Sequence, residues 1–324
     1  MKVESVGLTG QQEFAEAKGV FPLIYAAKEV SDLEASLSWL GANRTRLLGE
    51  LETHGALLLR GFNVVTDLDF DRVIQSFELP NFTYAESLSN AVRRNRTERV
   101  FTANEAPPEV SIYLHHEMAQ TPVFPSKLFF FCEHAQMTGG ATPLCRSDIL
   151  LSRLAQRRPD FVAACETRGV RYSNSMPAVD DPTSGQGRSW RSTLSVDSAQ
   201  EAEAKLASLD YSWEWQAGEV LRVTTPALPA VRELADGRKV FFNQLIAAFR
   251  GWKDVRNEAE KSIRFGDGSA IDPADMAEAI ELADELSFDT PWQAGDVALV
   301  DNYLVMHGRR PFSGERRVLA SLVA

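Results

Sequence analysis

The sequence predicts a mainly β chain, with a β-sandwich or barrel core carrying helices as decoration. Three observations lead there. Many short apolar runs of strand length are bounded by Gly or Pro, helical periodicity is concentrated at the start and in inserted segments, and the regular β-α alternation of a doubly wound sheet is missing.

In chain order, residues 30–54 predict an amphipathic helix, because Leu33, Leu37, Leu40, Leu47 and Leu51 recur near helical spacing with charges between them. HGALLLRGF (54–62) predicts a short buried strand, entered through Gly55 and left through Gly61. Residues 67–77 predict a second helix with Phe70, Val73, Ile74 and Phe77 on one side. Ala106–Pro108 marks a loop, and residues 110–134 predict two strands, VSIYLHHEM and SKLFFFCEH, joined by a Thr- and Pro-rich turn. A Gly turn over 137–143 leads to another short strand, and Asp148–Arg157 predicts a helix. Residues 174–189 have the composition of a loop and suit an active-site rim. Tyr211–Trp215, Glu219–Val223 and Lys239–Asn243 predict strands, and Pro273–Leu286 predicts a helix. WQAGDVALVDNYLVMHGRR and RRVLASLVA supply the last strands.

The 324 residues are 44% hydrophobic and 24% charged, an ordinary balance for a soluble globule, with a net charge of −11. An acidic surface repels phosphate backbones, so no nucleic-acid partner is expected. Cys132, Cys145 and Cys165 form no C-x-x-C pair and no disulfide framework, which favours a reducing compartment. The first residues lack an apolar signal core and no apolar run is long enough for a bilayer. The expected location is cytoplasmic, without a membrane partner.

Of five histidines, His115 stands one residue from Glu117. On a strand, residues i and i+2 share a face, so this imidazole and carboxylate are aimed together while His116 turns away. His307, at the end of the apolar run VALVDNYLVMH, is the candidate for a third ligand. Two His and one carboxylate on one face of an octahedron suit non-haem Fe(II) and oxygen chemistry. Taken alone, an H-x-E pair is a weak signal, and His307 reads equally as a core histidine. His116 is an alternative ligand without the i+2 relation.

The surrounding segments are more specific. YLHHEMAQ (113–120), PSKLFFFCE (125–133), GGATP (139–143) and DNYLVMHGRRPFSGERRVLASL (301–322) resemble Fe(II)/2-oxoglutarate dioxygenases of the TauD/TfdA superfamily, and within it the clavaminate synthase-like group. HGALLLRGF, VFTANEAPP (100–108), VFFNQLIAAFRGW (240–252) and IRFGDG (263–268) extend the likeness over nearly the whole chain. It implies a double-stranded β-helix, or jelly roll, as one domain over 1–324 with helical insertions around 144–170 and 250–287.

The resemblance also carries roles. His115, Glu117 and His307 match the iron ligands, and Thr142 matches a threonine that binds the 2-oxoglutarate carboxylate. An arginine after the distal histidine clamps the far carboxylate. Arg317 is favoured, with Arg309 and Arg316 as substitutes, and Arg309, Arg310 and Arg316 read otherwise as a solvated basic rim. Where taurine dioxygenase-like members carry a further arginine, this chain has Ser321. Asn104 and Asn243 are candidate substrate contacts or buried structural amides. Trp190 and Phe241 are candidate cavity walls or plain core, and His54 and His134 read as structural.

The implied activity consumes O2 and 2-oxoglutarate, releases succinate and CO2, and hydroxylates an unactivated C–H bond. The carboxylate ligand argues against the halogenating relatives, in which a small residue replaces it. Desaturation and epoxidation remain as alternatives, as do a zinc hydrolase using the same triad and a catalytically silent jelly-roll binding protein. The expected partner is a small amino-acid-like or secondary-metabolite substrate, free or tethered to a carrier protein. Self-association into a homo-oligomer, seen in many relatives, is a further expectation.

Overall fold

The computed structural model describes residues 1–29, 32–82, 88, 93–103, 106–181, 184, 187–252, 256–257 and 259–324. Two sheets face each other. The larger has seven strands in the order Lys2–Ser5, Leu23–Lys28, Ala56–Arg60, Val297–Asp301, Lys127–Gly139, Phe312–Val323 and Phe101–Thr102. Neighbours are antiparallel except Leu23–Lys28 beside Ala56–Arg60. The smaller sheet has four strands in the order Ser287–Thr290, Thr142–Arg146, Val305–Arg309 and Ile112–His115. The arrangement is the jelly roll that the family resemblance implies, and it meets the sandwich or barrel expected from the strand pattern.

Period-two alternation explains the layers. From Lys127–Gly139 and Phe312–Val323, the residues Leu128, Phe130, Cys132, Val318, Ala320 and Leu322 point inward, where they meet Leu144, Val305 and Phe288 of the smaller sheet. The intervening Phe129, Phe131 and Leu319 point outward and are covered by two helices. The first, Leu33–His54, is started by the Asp32 side chain and ended by Gly55 in the left-handed region, φ +78°. The second, Asp67–Gln75, begins with a capping box between Thr66 and Asp69. Ser147–Arg157, Pro159–Arg168, Leu245–Gly251 and Pro273–Glu285 cover the outer face of the smaller sheet, burying Leu114, Cys145 and Met306.

Three expectations change. The strands predicted over 110–134 do not form a hairpin: Ile112–His115 joins the smaller sheet and Lys127–Gly139 the larger one. The segment expected as a rim loop begins inside a strand, Val170–Met176, which pairs with Val220–Thr224. The strand expected over Lys239–Asn243 stops at Val240, and after a short irregular stretch the chain enters the helix Leu245–Gly251.

Candidate active site

His115 ends the strand Ile112–His115, His307 sits at the centre of Val305–Arg309, and the two are direct cross-strand partners. Paired residues share a sheet face. Antiparallel register therefore brings together two imidazoles far apart in sequence, with ring centroids 4.4 Å apart. On its other side His307 pairs with Leu144, an interior residue, so both rings face the space between the sheets.

Glu117 joins them by a different route from the one expected. The strand stops at His115 and the chain turns, with Met118 in the left-handed region at φ +58°. Asn302 captures this turn: its Oδ1 accepts from the Glu117 backbone N–H at 2.7 Å, and its Nδ2 donates to the carbonyls of Glu117 at 3.0 Å and Pro125 at 2.8 Å. His115 Nε2 and His307 Nε2 lie 4.0 and 3.4 Å from Glu117 Oε2. One donor atom from each of the three lies within 4.8 Å of the others.

The protonation states suit a metal. His115 Nδ1 is 2.7 Å from the Tyr113 carbonyl, which can only accept, so Nδ1 carries the proton and Nε2 keeps its lone pair. Burial, and after it the neighbouring His307, pushes the His115 pKa down to about 4, leaving a neutral ring at pH 7. Burial alone would raise the Glu117 pKa. Arg93 and His307 outweigh it and hold the carboxyl well below the usual range, with Arg93 Nη2 2.8 Å from Oε1. The imidazole nitrogens of His115 and His307 and one carboxylate oxygen of Glu117, converging from inside the fold, are a donor set that fits Fe(II). His116 takes no part. Its Nδ1 donates to the Asn302 carbonyl at 2.5 Å, and its ring packs on Phe242 at 4.7 Å.

Thr142 begins the strand next to His307, two residues before Leu144, so it shares the interior face about 7 Å further along. Its hydroxyl accepts from Trp292 Nε1 at 2.9 Å and from Arg316 Nη2 at 3.3 Å. Arg316 Nε donates to the Gly140 carbonyl at 2.7 Å. Among the described residues no carboxylate pairs with this half-buried guanidinium. Burial, and then Arg309, pushes its pKa down to about 10, so it still carries its charge at neutral pH. An unneutralised guanidinium fork from the larger sheet, beside a hydroxyl on the smaller sheet's inner face that also carries His115 and His307, has the shape and charge to fit the carboxylate of 2-oxoglutarate.

This corrects the arginine assignment. Arg317 does share a face with Leu319, as expected, but that face is the outer one. Its side chain is 49% exposed and pairs with Glu133 at 3.1 Å. Arg316 alternates with Val318, Ala320 and Leu322 and so points inside. The bulge beside Arg317 adds its extra residue, Glu133, to the neighbouring strand and leaves this alternation intact. The basic-rim reading fails for Arg309 as well. It is buried, its guanidinium donates to the carbonyls of Ala106, Pro107 and Val110, and it stacks over Phe312 at 5.3 Å. Arg310 stays on the surface, paired with Asp284 and Asp289.

The other candidates separate in the same way. Asn243 is fully buried, and both ends of its amide are engaged, Nδ2 with the Ala230 carbonyl and Oδ1 with the Leu245 N–H. It is a structural amide and not a free substrate contact. Asn104 lies outside the described residues. Trp190 and Phe241 belong to apolar clusters away from the space between the sheets. Arg93, Asn302 and Trp292 were not anticipated. Arg93 stands 24 residues before Glu117 in a polar stretch that carries no motif. Asn302 lies in the DNYLVMH segment, where neither its type nor its spacing from His307 singles it out.

A family model described as taurine catabolism dioxygenase TauD, TfdA family, matches residues 17–322. A clavaminate synthase-like protein of Arabidopsis thaliana is 40% identical over 274 residues, which cover 84% of this chain and 82% of that protein. The dapdiamide synthesis protein DdaC of Enterobacter agglomerans is 29% identical over 329 residues, 94% of each chain. Among solved structures, PvcB from Pseudomonas aeruginosa superposes with a TM-score of 0.54 at 14% identity, covering 94% of this chain and 86% of that one.

Proposed function

The chain belongs to the TauD/TfdA family of dioxygenases, and on that premise we propose that it hydroxylates an unactivated C–H bond of a small amino-acid-like or secondary-metabolite substrate. It is a 2-oxoglutarate-dependent oxidoreductase whose cofactors are Fe(II) and 2-oxoglutarate. Iron with this cosubstrate and O2 supplies the oxidising power, releasing succinate and CO2. The chain's own residues do the rest. His115, Glu117 and His307 hold the metal, and Asn302 and Arg93 fix the carboxylate. Thr142 and Arg316 bind and orient the cosubstrate carboxylate. Phe130, its ring 5.2 Å from that of His307, belongs to the apolar wall that keeps bulk water out.

The observation that carries the hydroxylation reading is Glu117, an intact carboxylate held by Arg93 at its side chain and by Asn302 at its backbone, where halogenating relatives carry a small residue. Kinship with a protein named for dapdiamide synthesis supports a biosynthetic substrate over a bulk nutrient. A zinc hydrolase would have no use for the Arg316 and Thr142 pair. The test is a screen of amino acids and their acyl and amide derivatives, scored by succinate release above the uncoupled rate and by the mass of the product. A gain of one oxygen atom from O2 is expected. Loss of two hydrogens, or succinate release that no substrate stimulates, contradicts the reading.

A further inference from the structure

Residues 291–296 cross from the smaller sheet, which they leave at Ser287–Thr290, to the larger one, which they enter at Val297–Asp301. A buried ion pair holds this crossing in shape. Arg60, the last residue of Ala56–Arg60, donates to Asp296 through Nε at 2.9 Å and Nη2 at 2.7 Å, and its Nη2 also donates to the Pro291 carbonyl at 2.8 Å. Asp296 Oδ2 accepts in turn from the Gln293 N–H at 2.9 Å. Both chain neighbours of Trp292 are thus fastened to one pair of charges. The Trp292 backbone N–H donates to the Thr290 carbonyl at 3.0 Å.

The indole held there is buried among the apolar side chains between the sheets, and its one polar atom meets Thr142. Nε1 donates to Thr142 Oγ1 at 2.9 Å, and Arg316 Nη2 donates to the same oxygen at 3.3 Å. A hydroxyl has two lone pairs and one hydrogen, whereas an indole N–H and a guanidinium N–H can only donate. Both lone pairs of Thr142 are therefore engaged, and among the described residues its hydrogen has no acceptor. A hydroxyl with free lone pairs could turn to accept or to donate. This one is fixed as a donor, its hydrogen directed away from the indole and the guanidinium. A carboxylate oxygen can only accept, so the polarity matches a carboxylate drawn to this place by Arg316.

We propose that Trp292 is a positioning residue for the cosubstrate: it holds the Thr142 hydroxyl in the donating orientation, and the Arg60–Asp296 pair holds Trp292. It acts through Thr142 on the far carboxylate, the one that does not chelate the metal. The proposal rests on the oxygenase reading, in which Thr142 and Arg316 bind 2-oxoglutarate, and adds the support behind them. A tryptophan that only fills the core would weaken cosubstrate binding equally with and without the Thr142 hydroxyl.

The test is a double-mutant cycle on the full chain, with the Kd of 2-oxoglutarate read anaerobically from the visible band that forms with Fe(II). Trp292→Phe keeps an aromatic ring in the core and removes the N–H, and it is expected to raise Kd about tenfold, the worth of one hydrogen bond. Thr142→Val, nearly isosteric, is expected to raise Kd at least as much. In the Thr142→Val background, Trp292→Phe is expected to change Kd by less than about twofold, because the hydroxyl it orients is gone. Asp296→Asn is a second probe that leaves the indole intact and loosens only its support. It is expected to raise Kd about threefold in the wild-type chain and not at all beside Thr142→Val. 2-Oxopentanoate, with a methyl group in place of the far carboxylate, is expected to bind wild type and Trp292→Phe alike. An unchanged Kd in Trp292→Phe, an equal loss in both backgrounds, or an equal loss for 2-oxopentanoate overturns the proposal. A wild-type chain without the band defeats the oxygenase reading and the proposal together, whereas a normal band with additive losses defeats only the role of Trp292.

Discussion

Arg316 and Arg317 are adjacent, identical in type, and opposite in fate. One points between the sheets to Thr142, and the other points out to Glu133. If Arg316 holds the cosubstrate as proposed, Arg316→Gln removes a charge-assisted contact and the Kd for 2-oxoglutarate is expected to rise about thirtyfold, whereas Arg317→Gln stays within about threefold of wild type. Anaerobic titration of the visible band measures both. Arg93 acts through Glu117, so Arg93→Gln is expected to weaken Co(II) binding about tenfold, with partial recovery in Arg93→Lys. Equilibrium dialysis reads that loss without any turnover. The residue types for this chemistry were legible in the sequence: scarce histidines, a carboxylate one residue away, and arginines after the distal histidine. Which arginine faces inward was not, because a spacing counted from His307 does not say which face of the strand is the inner one. Arg93 was invisible for another reason, since its partnership with Glu117 exists only in three dimensions.

The metal group depends on two strands meeting at one register. Gly308 lies between His307 and Arg309, where that register shifts, and a Cβ built there would sit 2.4 Å from the Ile112 carbonyl oxygen. Because the clash is with backbone, Gly308→Ala must push the two ligand strands apart. A loss of about 1–3 kcal/mol of stability is expected together with weakened Co(II) binding, measured by denaturant unfolding and dialysis. Asn302→Ala leaves the Glu117 N–H and two carbonyls without their partner in a buried place. About 3 kcal/mol of stability is the expected cost by the same unfolding measurement. The elements themselves were largely readable, since Leu and Phe periodicity gave both early helices and the central strands. The failures fall where tertiary hydrogen bonds replace ladder bonds. Glu117 sits in a turn held by Asn302, and Asn243 sits in an irregular stretch held by Ala230 and Leu245, and neither leaves a periodic trace.

Across the whole molecule, three cysteines are spread through the interior, all free and fully buried. Burial raises all three thiols, Cys132 and Cys165 to about 12. A thiol reagent at pH 8 is expected to label none of them in the native state and all three after unfolding. Unfolded thiols ionise from about pH 8.5 while the folded ones stay protonated, so stability falls above that pH. The slope reaches at most about 4 kcal/mol per pH unit once all three unfolded thiols are ionised. The jelly roll's larger contribution is convergence: it joins His115 to His307, and Thr142 to Arg316, across long stretches of chain. The most direct test of that convergence is the anaerobic visible spectrum of the purified chain with Fe(II) and 2-oxoglutarate. A weak charge-transfer band is expected only when both are added, and it should be absent in His307→Ala. A band that survives in His307→Ala, or a wild-type protein that binds Fe(II) and 2-oxoglutarate no better than that variant, would contradict the account.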